Sequence, residues 1–127
     1  MENNFLTYSQ SFKLIELGFE EQCFGFYNNA DGNIWIKQNI PKEIIEIYRG
    51  DIIAPLKQQA FKFFREKYGL YAHFFSKEDD TFLWCIRWYV YGVQKDTPYF
   101  SVKTYELAES DCIDELIILA KNKNNEK

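Results

Sequence analysis

The chain from Leu70 to Gly92 most constrains the fold, because it contains two strand-like segments that are apolar on both sides. Leu70 to Ser76 and Thr81 to Gly92 are rich in β-branched and aromatic residues, and the turn residues Glu78-Asp79-Asp80 lie between them. A loop of two or four residues predicts an antiparallel hairpin with these pairs: Tyr71 with Trp88, His73 with Ile86, and Phe75 with Trp84. The opposite face then carries Leu70, Ala72, Phe74, Leu83, Cys85, Arg87 and Tyr89. A sheet with this pattern needs a cover on each face.

Two helices are predicted on either side of this hairpin. The first runs from Ile53 to Tyr68, with Pro55 in its opening turn and Gly69 as its stop. The second runs from Tyr105 to about Lys121 after the capping residue Thr104. Its predicted buried stripe consists of Leu107, Ala108, Cys112, Leu116, Ile117 and Leu119. A short third strand, Tyr99 to Val102, is expected after a turn at Asp96-Thr97-Pro98.

The N-terminal third predicts a helix over 7–18 and two strands, Cys23 to Asn28 and Ile34 to Lys37, joined by a turn at 29–32. The stretch 40–50 fits either a helix or an extended connector. The fold class predicted is α+β: an N-terminal helix and β-hairpin, then an α-β-β-(β)-α unit whose antiparallel sheet is packed by two helices. At 127 residues we expect one domain, 1–127, with a disordered tail at 122–127.

The aromatic content bears on what covers the second face of the sheet. The chain has 12 Phe, 9 Tyr and 3 Trp, or 19% of its residues, and two helices cover only one face of a small sheet. The N-terminal elements, a second copy or another protein are the three candidates for the other face. The leading functional hypothesis is a non-enzymatic accessory protein that binds a protein partner or forms a homodimer. The anchors predicted for that surface are Tyr71, Phe75, Trp84 and Trp88.

Charge and cysteine content narrow the classes of partner and the compartment. The net charge of −4 repels phosphate backbones and anionic lipid, so nucleic-acid binding is disfavoured and no membrane partner is expected. Cys23, Cys85 and Cys112 are odd in number and scattered, which favours a reducing compartment. Because the start also lacks the pattern of a signal peptide, a cytoplasmic location is predicted.

Two alternative functions stay open. The helix-strand-strand-strand-helix order resembles that of double-stranded-RNA-binding domains, which implies a nucleic-acid-binding module. The stretch 104–109, where that family places cations, instead contains Glu106 and Glu109. The other alternative is an enzyme or small-ligand binder with a site near His73 and Arg87. No cofactor is expected, because the sequence has no phosphate-binding loop or dinucleotide fingerprint, and the three cysteines and the one histidine lack zinc-site spacing.

Two stretches carry a family resemblance. Residues 54–70, APLKQQAFKFFREKYGL, and residues 103–117, KTYELAESDCIDELI, resemble segments of small uncharacterised phage and prophage proteins. The resemblance covers about residues 54–121. It implies a mobile-element origin and a helix–hairpin–helix fold, and it implies no activity and no site residues.

Overall fold

A computed structural model describes residues 4–21, 23–27, 34–40 and 52–125. The chain divides into two compact units, Met1–Ala60 and Phe61–Lys127. The expectation of a single domain stays a prediction. The two units are described separately. The predicted turn at 29–32 and nearly all of the ambiguous stretch 40–50 lie outside the described residues.

The first helix, α1, spans Tyr8–Glu16 and begins with a capping box. The Thr7 hydroxyl accepts from the backbone N–H of Gln10 at 3.1 Å, and the Gln10 side-chain oxygen accepts from the N–H of Thr7, also at 3.1 Å. Two otherwise unpaired N–H groups at the start of the helix are thereby satisfied. Leu14 is fully buried whereas Phe12 is half-exposed, so the buried side of this helix includes Leu14 and not Phe12.

Three strands follow: β1 Cys23–Tyr27, β2 Ile34–Ile40 and β3 Ile52–Ala54. They form an antiparallel sheet in the order β2-β1-β3. The hairpin of β1 and β2 was predicted, but the helix expected from Ile53 was wrong in its first turn. Ile53 instead pairs with Phe26 of β1, and Pro55 separates this strand from the helix that follows.

The second helix, α2, spans Lys57–Tyr68 and ends as predicted at Gly69. Gly69 has φ +65°, and the N–H of Leu70 reaches back to the carbonyl of Phe64 at 3.1 Å. A left-handed glycine whose own N–H bonds four residues back, here to the carbonyl oxygen of Arg65 at 3.2 Å, is a common helix stop. It turns the chain into the first strand of the second sheet.

The second sheet has four strands: β4 Tyr71–Ser76, β5 Phe82–Val90, β6 Val93–Asp96 and β7 Phe100–Val102. β5 pairs antiparallel with β4 on one side and with both β6 and β7 on the other. The strand predicted to end at Gly92 stops at Val90, because Tyr91 and Gly92 form a tight turn that leads into β6. The sequence interpretation missed β6 altogether.

The register of β4 on β5 differs by one residue from the prediction. Tyr71 pairs with Arg87 rather than with Trp88. The cause is the length of the loop. The backbone N–H of Lys77 donates to the carbonyl oxygen of Thr81 at 2.9 Å, and this bond closes a loop of three residues, 78–80. Asp80 takes φ +62°, a left-handed conformation that aspartate tolerates better than most residues. An odd loop length shifts the pairing and changes which side chains share a face.

The register determines which side chains share each face of the sheet. The helix face carries Ala72, Phe74, Phe82, Trp84, Ile86 and Trp88, and the open face carries Tyr71, His73, Phe75, Leu83, Cys85, Arg87 and Tyr89. Phe74 packs edge-on against Phe61 of α2 at 5.5 Å between ring centroids. Phe74 and Phe82 both contact Tyr105, at 5.6 and 5.9 Å. These contacts show that α2 and the helix beginning at Tyr105 pack on this face of the sheet.

The last helix, α3, spans Tyr105–Asn125. Thr104 caps it as predicted, since its hydroxyl accepts from the N–H of Leu107 at 3.1 Å. Its buried residues are Ala108, Cys112, Ile113, Leu116, Ile117 and Ala120. The prediction was wrong for Leu107, which is half-exposed, and for Leu119, which is only partly buried. The tail expected to be disordered from Asn122 continues the helix to Asn125. There Lys123 donates to the carbonyl oxygen of Tyr68 at 2.9 Å, and Asn124 donates to the Tyr68 hydroxyl oxygen at 3.1 Å.

The predicted α+β class, with helices packed on an antiparallel sheet, is confirmed. In the described parts of the chain, none of the helices has the length and apolar character needed to span a bilayer.

Candidate functional site: the open face and the hairpin tip

The open face holds four partly exposed aromatic rings in two edge-to-face pairs. Tyr71 lies 6.4 Å from Tyr89, and Phe75 lies 5.7 Å from Tyr99, between ring centroids. The exposed fractions of these residues are 39% for Tyr71, 44% for Phe75, 54% for Tyr89 and 55% for Tyr99. Edge-to-face contacts order the rings without removing them from solvent.

Tyr99 reaches this face because the strand opposite β5 carries one extra residue. From Arg87↔Asp96 to Trp84↔Phe100, β5 moves back three residues while the partner moves forward four. The two residues Pro98 and Tyr99 therefore stand opposite Cys85, as in a β-bulge. Tyr99 extends over the cysteine towards Phe75, which helps to explain why Cys85 is fully buried on a face that is otherwise partly exposed.

The polar centre of the face is an ion pair. Arg87 Nε lies 2.8 Å from the Asp96 carboxylate, which also accepts from the Gln94 amide at 3.2 Å. The bond from Arg87, more than any other contact, lowers the pKa of Asp96, and His73 is near enough to lower it further. The bond to Asp96 raises the pKa of Arg87 in turn. Both groups stay charged at neutral pH and neutralise each other.

The structure brings His73 opposite Cys85, which the predicted register had placed on opposite faces. Burial, and then the negative charge of Asp96, raise the pKa of the Cys85 thiol, while Arg87 and a hydrogen bond from Tyr99 lower it in part. A thiol with a raised pKa is protonated at neutral pH. The pair therefore lacks the thiolate that a Cys–His nucleophile needs.

The four predicted anchors divide between the two faces. Tyr71 and Phe75 lie on the open face, as expected for a docking surface. Trp84 and Trp88 are on the helix face, and Trp84 is only 4% exposed, stacked on Phe100 at 4.5 Å. Their assignment to the same surface was wrong because the register is shifted by one residue. His73 and Arg87 of the alternative site do lie together on the open face.

Beyond Arg87 the sheet narrows to two strands, because β4 begins opposite that residue. Residues 89–94, here called the hairpin tip, contain no charged side chain. The tip exposes Tyr89, Val90, Tyr91 and Val93. Sequence inspection overlooked it, because Tyr-Gly is not one of the usual two-residue turn pairs such as Asn-Gly.

Comparison with protein-family models, with curated proteins and with solved structures finds no match to this chain. A function for the open face and the hairpin tip can therefore be inferred only from their geometry.

Proposed function

We propose that this chain is a non-enzymatic protein-binding module that docks another protein on its open face. The observation that supports it is the set of four rings, 39–55% exposed, on the side of the sheet opposite the helices. Partly exposed tyrosine and phenylalanine supply large contact area with few rotatable bonds to immobilise.

The size of the surface indicates a transient interface. An aromatic side chain presents roughly 150–250 Å², so four rings about half exposed offer on the order of 400 Å². Stable complexes bury about 800 Å² on each partner, and weaker signalling contacts bury less. We therefore expect a dissociation constant in the micromolar range, and we favour a separate protein over an obligate homodimer.

The charges of the open face favour an uncharged protein surface as its partner. Arg87 is neutralised by Asp96, so no free cation is left on this pair to attract phosphate. The first turns of α3, where an RNA-binding domain of similar topology needs cations, carry Glu106 and Glu109. These features support a protein partner over a nucleic acid.

The test compares two serine variants of the full chain. Phe75→Ser removes a ring from the open face, and Ile118→Ser removes a side chain of similar exposure, 50%, from the outer side of α3. Sedimentation equilibrium measures self-association, and quantitative affinity isolation from the producing cells measures binding to other proteins. We expect Phe75→Ser to weaken binding at least tenfold and Ile118→Ser to leave it unchanged.

Identical recovery of proteins by wild type and Phe75→Ser, with a monomeric wild type, overturns the proposal. Association of the wild type with itself alone, lost in Phe75→Ser, would identify the partner as a second copy.

A further inference from the structure

Tyr91 occupies a conformation that does not suit it. Tyr91 and Gly92 join β5 to β6, and both have positive φ, +49° and +79°. This is the requirement of a type I′ hairpin turn, whose first position is normally asparagine, aspartate or glycine. A bulky side chain with positive φ is an outlier, because its Cβ is crowded by the backbone.

The ring of Tyr91 brings no packing in return. The whole residue is 102% exposed, as much as in an extended peptide. A tyrosine that is unfavourable for its backbone and packs against none of the residues the structure describes has no structural reason to be there. Such outliers concentrate at sites that clamp or recognise a ligand.

The surroundings of Tyr91 restrict what that ligand can be. Val90 and Val93 flank the turn with 42% and 56% exposure, and no charge occurs over residues 88–94. The nearest cation is Lys95, which is exposed two residues after Val93, and a single charge gives little affinity for nucleic-acid phosphates or anionic lipid headgroups, whose binding depends on several cations. It presents an apolar ring with a hydroxyl at its far end, between two valines.

We propose that Tyr91 is the anchor of a protein–protein interface and inserts into an apolar pocket of another protein. The pocket is one ring deep, is lined by aliphatic or aromatic side chains, and ends in a hydrogen-bond acceptor for the phenolic hydroxyl. Val90 and Val93 lie against its rim. This inference rests on the proposed function, since it places the specificity of protein binding at the hairpin tip, next to Tyr89 of the open face.

The experiment places the photoreactive residue p-benzoylphenylalanine at position 91 of the full chain. The matched control carries it at Glu78, in the exposed turn at the opposite end of β5. After irradiation in the producing cells, we expect one major adduct from position 91 that position 78 does not form. The captured protein is then expressed, purified and titrated with the wild-type chain and its variants.

In that titration we expect Tyr91→Asn and Tyr91→Ala to weaken binding about thirtyfold or more, and Tyr91→Phe to weaken it only a few-fold. Asparagine accepts positive φ, so Tyr91→Asn keeps the fold while it removes the ring. No adduct at position 91, equal adducts at both positions, an adduct with a second copy, or wild-type affinity of Tyr91→Asn overturns the assignment.

Phe75→Ser separates this inference from the proposed function. If Phe75→Ser weakens the captured complex while Tyr91→Asn does not, the open face remains the binding surface and Tyr91 is not its anchor. If neither substitution weakens the complex, both proposals fail.

Discussion

Replacing Tyr91 by asparagine should stabilise the fold, although the residue lies at the most exposed point of the second unit. Tyr91 has φ +49°, and an ordinary L-residue in that region costs about 1–2 kcal/mol. Asparagine escapes much of that cost through local hydrogen bonds. Because the tyrosine is 102% exposed as a whole residue, removal of its side chain sacrifices no packing. We expect Tyr91→Asn to raise the free energy of unfolding by about 1 kcal/mol.

The assay is urea unfolding of the full chain, followed by tryptophan fluorescence and circular dichroism, with thermal melts alongside. A gain of this size corresponds to a rise in Tm of about 3–6 °C for a chain of this length. Tyr91→Ala is the control, since alanine removes the ring but suffers the same backbone crowding. Equal stability of Tyr91→Asn and Tyr91→Ala would show that the turn stores no strain, and would remove the main support for Tyr91 as a functional residue.

Three further predictions concern the helix face and the last helix. Trp84→Ala should cost about 3–5 kcal/mol, as expected for a buried aromatic. Trp84→Phe should cost less than about 2 kcal/mol in urea unfolding, because the buried Nε1 has no hydrogen-bond partner among the described residues and its loss offsets part of the lost packing; equal costs for both would contradict this. Burial raises the pKa of the Cys112 thiol far above its ordinary value of 9.0. The stability that this raised pKa contributes is fully present below pH 9. It is lost as pH rises from 9 towards the folded-state pKa, because over that range the thiol releases its proton only in the unfolded chain. Cys112→Ala should therefore flatten the decline of the unfolding free energy above pH 9, and an unchanged slope would refute the assignment. Lys123→Ala, which removes the bond to the Tyr68 carbonyl, should lower the free energy of unfolding in urea by about 1–2 kcal/mol. The control Lys121→Ala, at an exposed position, should change it by less than about 0.5 kcal/mol. Equal effects of the two substitutions would contradict a stabilising role for the C-terminal end of the helix.

The open face also limits which alternative function the chain can support. His73 and Arg87 do come together there, as the alternative site required, but Arg87 is bound to Asp96 and the Cys85 thiol is kept protonated. The Arg87 guanidinium is thus paired, and Cys85 is not the thiolate that a Cys–His nucleophile needs. These two features support the proposed binding function over the alternative site near His73 and Arg87.

Local patterns in the sequence were enough to determine the class of the fold and most of its elements. The cap at Thr104, the stop at Gly69 and the hairpin around Asp79 depend on residues close together in the chain, so their chemistry predicts them directly. The sequence likewise indicated that the chain has more aromatic side chains than two helices can cover.

Only the tertiary structure decided which rings share a surface. A single left-handed residue, Asp80, makes the loop odd, and one extra residue at Tyr99 shifts the strand on the other side of β5. Because side chains alternate between faces with a period of two, each one-residue change moves rings from one face to the other. Trp84 was thereby moved under the helices and Tyr99 was brought out beside Phe75. No local pattern encodes that outcome, because it depends on how the strands pair.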